Sequence, residues 1–195
     1  MEVPHKITRM SSDLSRPDAV REAAHAAVPA ALADLGTLVR IPSIAFPGFE
    51  RAEVERSAEA VKALAEGLGI FDRVEIRTAA TSTGEQGMPA VLATRAARNG
   101  KPSILLYAHH DVQPVGDESL WESAPFEPTV RGGRLYGRGA ADDKAGIMAH
   151  IGSLRAVVDA VGTDFDLGVN LFIEGEEEAG SASFAQFLSD NADAL

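Results

Sequence analysis

The stretch SILLYAHHDVQP, running from Ser103 to Pro114, changes character at its centre. Ile104, Leu105 and Leu106 follow Gly100, Lys101 and Pro102 as a short apolar run of the length of a buried strand. The run gives way to Tyr107, Ala108, His109, His110 and Asp111. Side chains alternate faces along an extended chain, so His109 and Asp111 are expected on one side and His110 on the other. A histidine and a carboxylate together at a strand end are what a metal site requires: the ring binds the ion and the acid fixes its tautomer. A His-x-Asp triplet is also common as a plain polar strand end, so its meaning depends on partners elsewhere in the chain.

On either side, helical and extended patterns alternate. Residues 1–17 read as a loose arm, and the rest as one body with a substantial core. The segment from Asp18 to Arg40 is alanine-rich, with Val28, Leu32, Leu35 and Val39 spaced as a helical stripe. Pro29 is expected to kink it or to start a second helix, and His25 reads as a surface residue. A second helix carries Val54, Ala58, Val61, Ala65 and Leu68 on one face, with Gly69 as its stop. Strands are expected near Val74–Thr78 and Ala90–Thr94. A hairpin across Gly132 and Gly133 would join Thr129–Arg131 to Arg134–Tyr136. Ile147, Ile151, Leu154 and Val158 mark a helix from Asp143 to about Val161. Gly168–Ile173 reads as a buried strand, and a last helix covers Ser181–Ser189. Helices alternating with short apolar strands imply an α/β protein, a three-layer α/β/α sandwich around a mixed, mostly parallel sheet. Sites in such sheets form in the loops beyond the strand carboxyl ends.

Composition narrows the partners. A formal charge of −11 with no basic cluster argues against nucleic acid. No apolar run reaches membrane-spanning length, and the first residues lack the apolar segment of a signal peptide. A cytoplasmic location is expected. With no cysteine there is neither a disulfide framework nor a thiolate metal site.

Two further stretches bear on chemistry. Gly137-Arg138-Gly139-Ala140-Ala141-Asp142 lacks the third glycine of a dinucleotide fingerprint, and its aspartate would repel a phosphate, which excludes the nucleotide reading. Alone, Asp142 reads as a helix N-cap. Glu176-Glu177-Glu178 reads alone as a solvated charge run. Directly after a buried strand, however, three carboxylates are costly without cations. One histidine, one aspartate and one glutamate from three such loops suit zinc or manganese. A neighbouring glutamate is then free to act as a base on water.

YAHHDVQP, LYGRGAADDKAG and FIEGEEEAGS together resemble the three ordered motifs of the di-zinc metallopeptidase family that includes carnosine dipeptidase, aminoacylase and succinyl-diaminopimelate desuccinylase. The resemblance runs from Leu32 to the chain end and is closer to the dipeptidase branch. It implies that His109 binds one Zn2+, that Asp142 bridges two and that Glu178 binds the other, with Mn2+ or Co2+ as substitutes. It also implies Glu177 as general base, Asp111 as the carboxylate supporting the histidine, and a cis peptide between Asp142 and Asp143. Ala108 and Ala145 stand where glycines are usual. The family's remaining ligands, a later acid and a histidine near the C-terminus, have no counterpart before Leu195, which lies seventeen positions past Glu178 (195 − 178 = 17). Residues 18–195 thus resemble the N-terminal portion of a catalytic domain, without the lid through which the complete protein would form a homodimer. The implied function is zinc-dependent hydrolysis of a small peptide or N-acyl amino acid, most readily a dipeptide, with the 195 residues alone inactive. The alternative is a metal-binding or interaction module without turnover.

Overall fold

The computed structural model describes residues 17–195, so the arm expected over 1–17 lies outside the described residues except for Pro17. Among the described residues there are four α-helices, α1 (Pro17–Val39), α2 (Arg51–Glu66), α3 (Lys144–Val161) and α4 (Phe184–Asp190), and six strands. Four of these, β1 (Arg73–Arg77), β2 (Ala90–Arg95), β3 (Ser103–His109) and β6 (Gly168–Glu174), form one sheet in the order β1-β2-β6-β3. The others, β4 (Thr129–Arg131) and β5 (Arg134–Tyr136), make a separate hairpin. Its turn residues Gly132 and Gly133 have φ of 55° and 76°, which a two-residue turn of this hand requires at both positions.

The sheet is mixed, but the expectation that it is mostly parallel is corrected: β1–β2 and β2–β6 are antiparallel, and only β3–β6 is parallel. Connection length accounts for this. The seven residues between β2 and β3 reverse the chain, whereas α3 carries it from β3 back over the sheet to a parallel neighbour. β6 then lies between β2 and β3.

Alternation along the strands builds two cores. Val91, Ala93, Val169, Leu171 and Ile173 face α1, α2 and α3. Ala90, Leu92 and Phe172 face Phe187 of α4, whose ring stacks on Phe172 with centroids 4.7 Å apart. The three layers expected from the sequence are therefore present, the second helical layer being thin. In α2, Val54, Ala58, Val61 and Ala65 are buried as their spacing requires, and so is Leu68 just beyond it. In α1 the stripe holds only at its C-terminal end: Leu35, Leu38 and Val39 are buried, while Val28 and Leu32 remain about half exposed. Pro29 neither ends the helix nor starts another, because α1 runs unbroken through it. The proline and His25, whose carbonyl it leaves without an amide partner, are both exposed to solvent. No helix among the described residues is long and apolar enough to cross a membrane.

Candidate metal centre

Because β3 and β6 run parallel with His109 opposite Glu174, both end at the same edge of the sheet. The loop after β3 carries Asp111 and Gln113, the loop after β6 carries Glu176 to Glu178, and the turn into α3 carries Asp142. Ligand atoms of His109, Asp142 and Glu178 lie within 4.8 Å of one another. His109 Nε2 is 3.1 Å from Asp142 Oδ1 and 3.8 Å from Glu177 Oε2. The peptide between Asp142 and Asp143 is cis.

Asp111 ties the loops together. It is fully buried, and its Oδ1 and Oδ2 accept the main-chain N–H groups of Glu177 at 3.1 Å and Glu178 at 3.0 Å. His109 Nδ1 lies 3.3 Å from Asp111 Oδ1 and 3.2 Å from its carbonyl. With those acceptors at Nδ1, the proton of the neutral ring resides there and Nε2 presents its lone pair toward Asp142. Burial opposes a charge on this ring, but the hydrogen bond and charge of Asp111, together with Glu177 and Asp143, outweigh it and raise its pKa to about 9. All five residues singled out in the sequence, His109, Asp111, Asp142, Glu177 and Glu178, are thus within one cluster.

Their neighbours divide differently from the sequence expectation. Glu176 does not belong to an uncompensated acidic run: its carboxylate accepts from Met88 N at 2.9 Å, Ser183 N at 2.6 Å and Ser183 Oγ at 2.7 Å, and it is buried. His110 points away, fully buried, with Nε2 2.9 Å from the Pro89 carbonyl. Burial lowers its pKa to about 4, so it stays neutral and donates that bond. Three supporting groups had no role assigned from sequence. Gln113 Nε2 donates to Glu178 Oε2 at 2.7 Å. Lys144, with no exposed surface, donates to the carbonyls of Leu38 at 2.8 Å and Ile41 at 2.7 Å, and burial lowers its pKa to about 7. Tyr107 donates to Glu174 Oε2 at 2.7 Å, beneath the cluster; burial raises the pKa of each. Gln113 and Lys144 lie inside the quoted motifs, which was the available signal. Bonds to main-chain carbonyls leave no spacing pattern, so Lys144 was not identifiable as a strut.

Residues 105–195 match the model of peptidase family M20/M25/M40. That segment resembles part of a peptidase M20 domain. Over 79 residues, 40% of the chain, it is 47% identical to a cysteinylglycine-S-conjugate dipeptidase of Corynebacterium striatum, of which this covers 17%. Over 84 residues, 42% of the chain, it is 48% identical to a succinyl-diaminopimelate desuccinylase of Nitrosospira multiformis, of which this covers 22%. The crystal structure of human carnosine dipeptidase 1 superposes with a TM-score of 0.80 at 27% identity, over 91% of this chain and 38% of that one. The chain therefore spans about a fifth of the length of these two curated relatives. The M20 match begins at Leu105, inside β3, and takes in all three loops of the cluster.

Proposed function

We propose that this chain belongs to a zinc-dependent hydrolase of peptide or acyl-amide bonds, acting most readily on dipeptides. The observation carrying the reading is the convergence of one imidazole nitrogen and two carboxylates within 4.8 Å, backed by a buried aspartate. A nitrogen and hard oxygens form a donor set that suits zinc, manganese or cobalt. His109, Asp142 and Glu178 would hold the metal, Asp142 from the exposed side of the cluster, where its side chain is 77% accessible and free to reach two ions. When bound, divalent ions polarise a substrate carbonyl and make water easier to deprotonate.

The chain's own residues supply the rest. Asp111 holds His109 through Nδ1 and fixes the main chain of both glutamates. Glu177, with its side chain 46% exposed and its carboxylate beside rather than within the ligand set, takes the proton from the attacking water at Oε2 and returns it to the leaving amine. Zinc as the native metal, a cytoplasmic location, a homodimer of the complete protein and residues 18–195 as the N-terminal portion of its catalytic domain belong to the same proposal.

In the protein carrying this chain, Glu177→Gln is expected to cut dipeptide turnover by roughly 10²–10⁴ with metal content nearly unchanged. Glu178→Gln should instead lower metal content. Metal analysis beside dipeptide turnover checks both. Exchanged effects would move the general base by one residue. A non-catalytic module is the second reading, because the cluster offers three ligating side chains and two zinc ions each need about three. Metal uptake by a protein that turns over neither dipeptides nor N-acyl amino acids would establish it.

A further inference from the structure

Glu177 and Glu178 are neighbours with the same side chain, and their main-chain N–H groups are held by the same aspartate. What separates them is Gln113. Its side-chain amide donates to Glu178 Oε2 at 2.7 Å and also lies 3.3 Å from the Glu178 carbonyl, so one donor grips both the side chain and the backbone of that residue. The loop that presents Gln113 is itself fastened on both sides. Val112 N donates to Ser43 O at 3.0 Å, Arg138 Nη2 to Pro114 O at 3.1 Å and Trp121 Nε1 to Val115 O at 3.0 Å.

We infer that Gln113 is a positioning residue for Glu178, engaging one carboxylate oxygen and thereby aiming the other at the metal. The inference rests on Glu178 being a ligand, as proposed above. An amide suits the task chemically. A lysine in its place would neutralise the glutamate and compete with the ion, and a second carboxylate would repel it. A neutral donor fixes the rotamer and leaves the negative charge for the metal. Glu177 lacks this restraint, and its carboxylate is left able to swing between water and leaving group. The two glutamates thus differ in freedom, set from a different loop.

The test is a double-mutant cycle read as zinc affinity, by competition with a chromophoric chelator on the metal-free chain at fixed pH. Gln113→Met keeps the size of the side chain and removes the donor, and Gln113→Ala repeats the measurement with no new side chain. Thermal unfolding without zinc identifies any variant that has lost its fold. The expected result is an affinity loss of roughly 10–100-fold on removing the donor, the usual effect of losing a group that orients a metal ligand. In a Glu178→Gln background the same substitution should change affinity less than about twofold, because coupled residues are not additive. Equal losses in both backgrounds would overturn the inference. So would an unchanged affinity in the Gln113 variants while Glu178→Gln binds weakly, which would leave Glu178 a ligand. A wild-type chain that takes up no zinc, or no loss in Glu178→Gln, would overturn both the inference and the ligand assignment.

Discussion

Asp111 has no exposed surface, yet its two oxygens serve the N–H groups of Glu177 and Glu178 and face His109 Nδ1. Asp111→Ala would strip two part-buried donors of their acceptor and release the ring. Urea unfolding should show a loss of about 2–3 kcal/mol, the scale of leaving such donors unpaired, and zinc affinity should fall by roughly 10–100-fold. A pH dependence follows from the same contact. The His109 pKa is raised from 6.5 to about 9 by its carboxylate neighbours. In the metal-free protein its stabilisation is fully present below pH 6.5 and is lost as pH rises through about 9. The protonated ring cannot bind an ion, so zinc must displace a proton from it. Zinc affinity should accordingly rise by roughly tenfold per pH unit between pH 7 and 9, with about one proton released per ion taken up at His109. Calorimetry in buffers of different ionisation enthalpy measures that proton, and a flat affinity over this range would remove His109 from the ligand set. His109, Asp111, Glu177 and Glu178 were legible in the sequence because each sits in a short polar segment at the end of an apolar strand. Asp142, which alone reads as a helix N-cap, was legible only through the motif around it. Gln113 was not, since a glutamine, even inside a motif, carries no spacing that separates a positioning amide from a surface one.

At the level of elements, legibility followed how completely each element is enclosed. The α2 stripe was readable because one whole face is buried, and the β4–β5 hairpin because two glycines between short strands admit few alternatives. The α1 stripe misled, since periodicity cannot report that only the last turns of a helix meet a neighbour; Val28 and Leu32 carry the pattern into solvent. Sheet direction is not carried by strand periodicity; it is set by connections such as the seven-residue β2–β3 link. Two glycines make opposite predictions about elements that were correctly located. A Cβ at Gly175, where β6 turns into the glutamate loop, would lie 2.1 Å from the Pro89 carbonyl oxygen and 2.8 Å from His110 Nε2. Neither is the free end of a flexible side chain, so Gly175→Ala must push the loop away, costing about 1–3 kcal/mol and weakening zinc binding through Glu178. A Cβ at Gly152, within α3, would meet nothing within 4 Å. Gly152→Ala should therefore stabilise the protein by about 0.5–1 kcal/mol through helix propensity alone, with zinc affinity unchanged. Paired urea titrations decide both, and a destabilised Gly152→Ala would show that α3 is closely packed at that turn.

Over the whole molecule, two opposing features govern association. The formal charge of −11 makes copies repel at long range. Against it, β3 is among the described residues an edge of the four-stranded sheet, with Ile104 39%, Leu105 49% and Tyr107 42% exposed. Beside it a groove of about 270 Å³ runs between β3 and α3, lined by Ile104, Leu106, Leu154, Val157 and Phe165. An unpaired strand edge with apolar side chains on both faces is a template for another strand. Which feature prevails is set by range. Charge repulsion acts over roughly 10 Å at 0.1 M salt and about 3 Å at 1 M, whereas edge pairing and apolar contact act only at touching distance and are little screened. The 195-residue chain should therefore self-associate more as salt is raised from 0.05 to about 1 M, the reverse of an association held by ion pairs. Leu105→Lys puts a charge on the outward face of β3 without entering either core, and should hold the chain monomeric across that range. Sedimentation velocity at several concentrations separates the cases. Association that weakens with salt, or that persists undiminished in Leu105→Lys, would place the contact away from this edge.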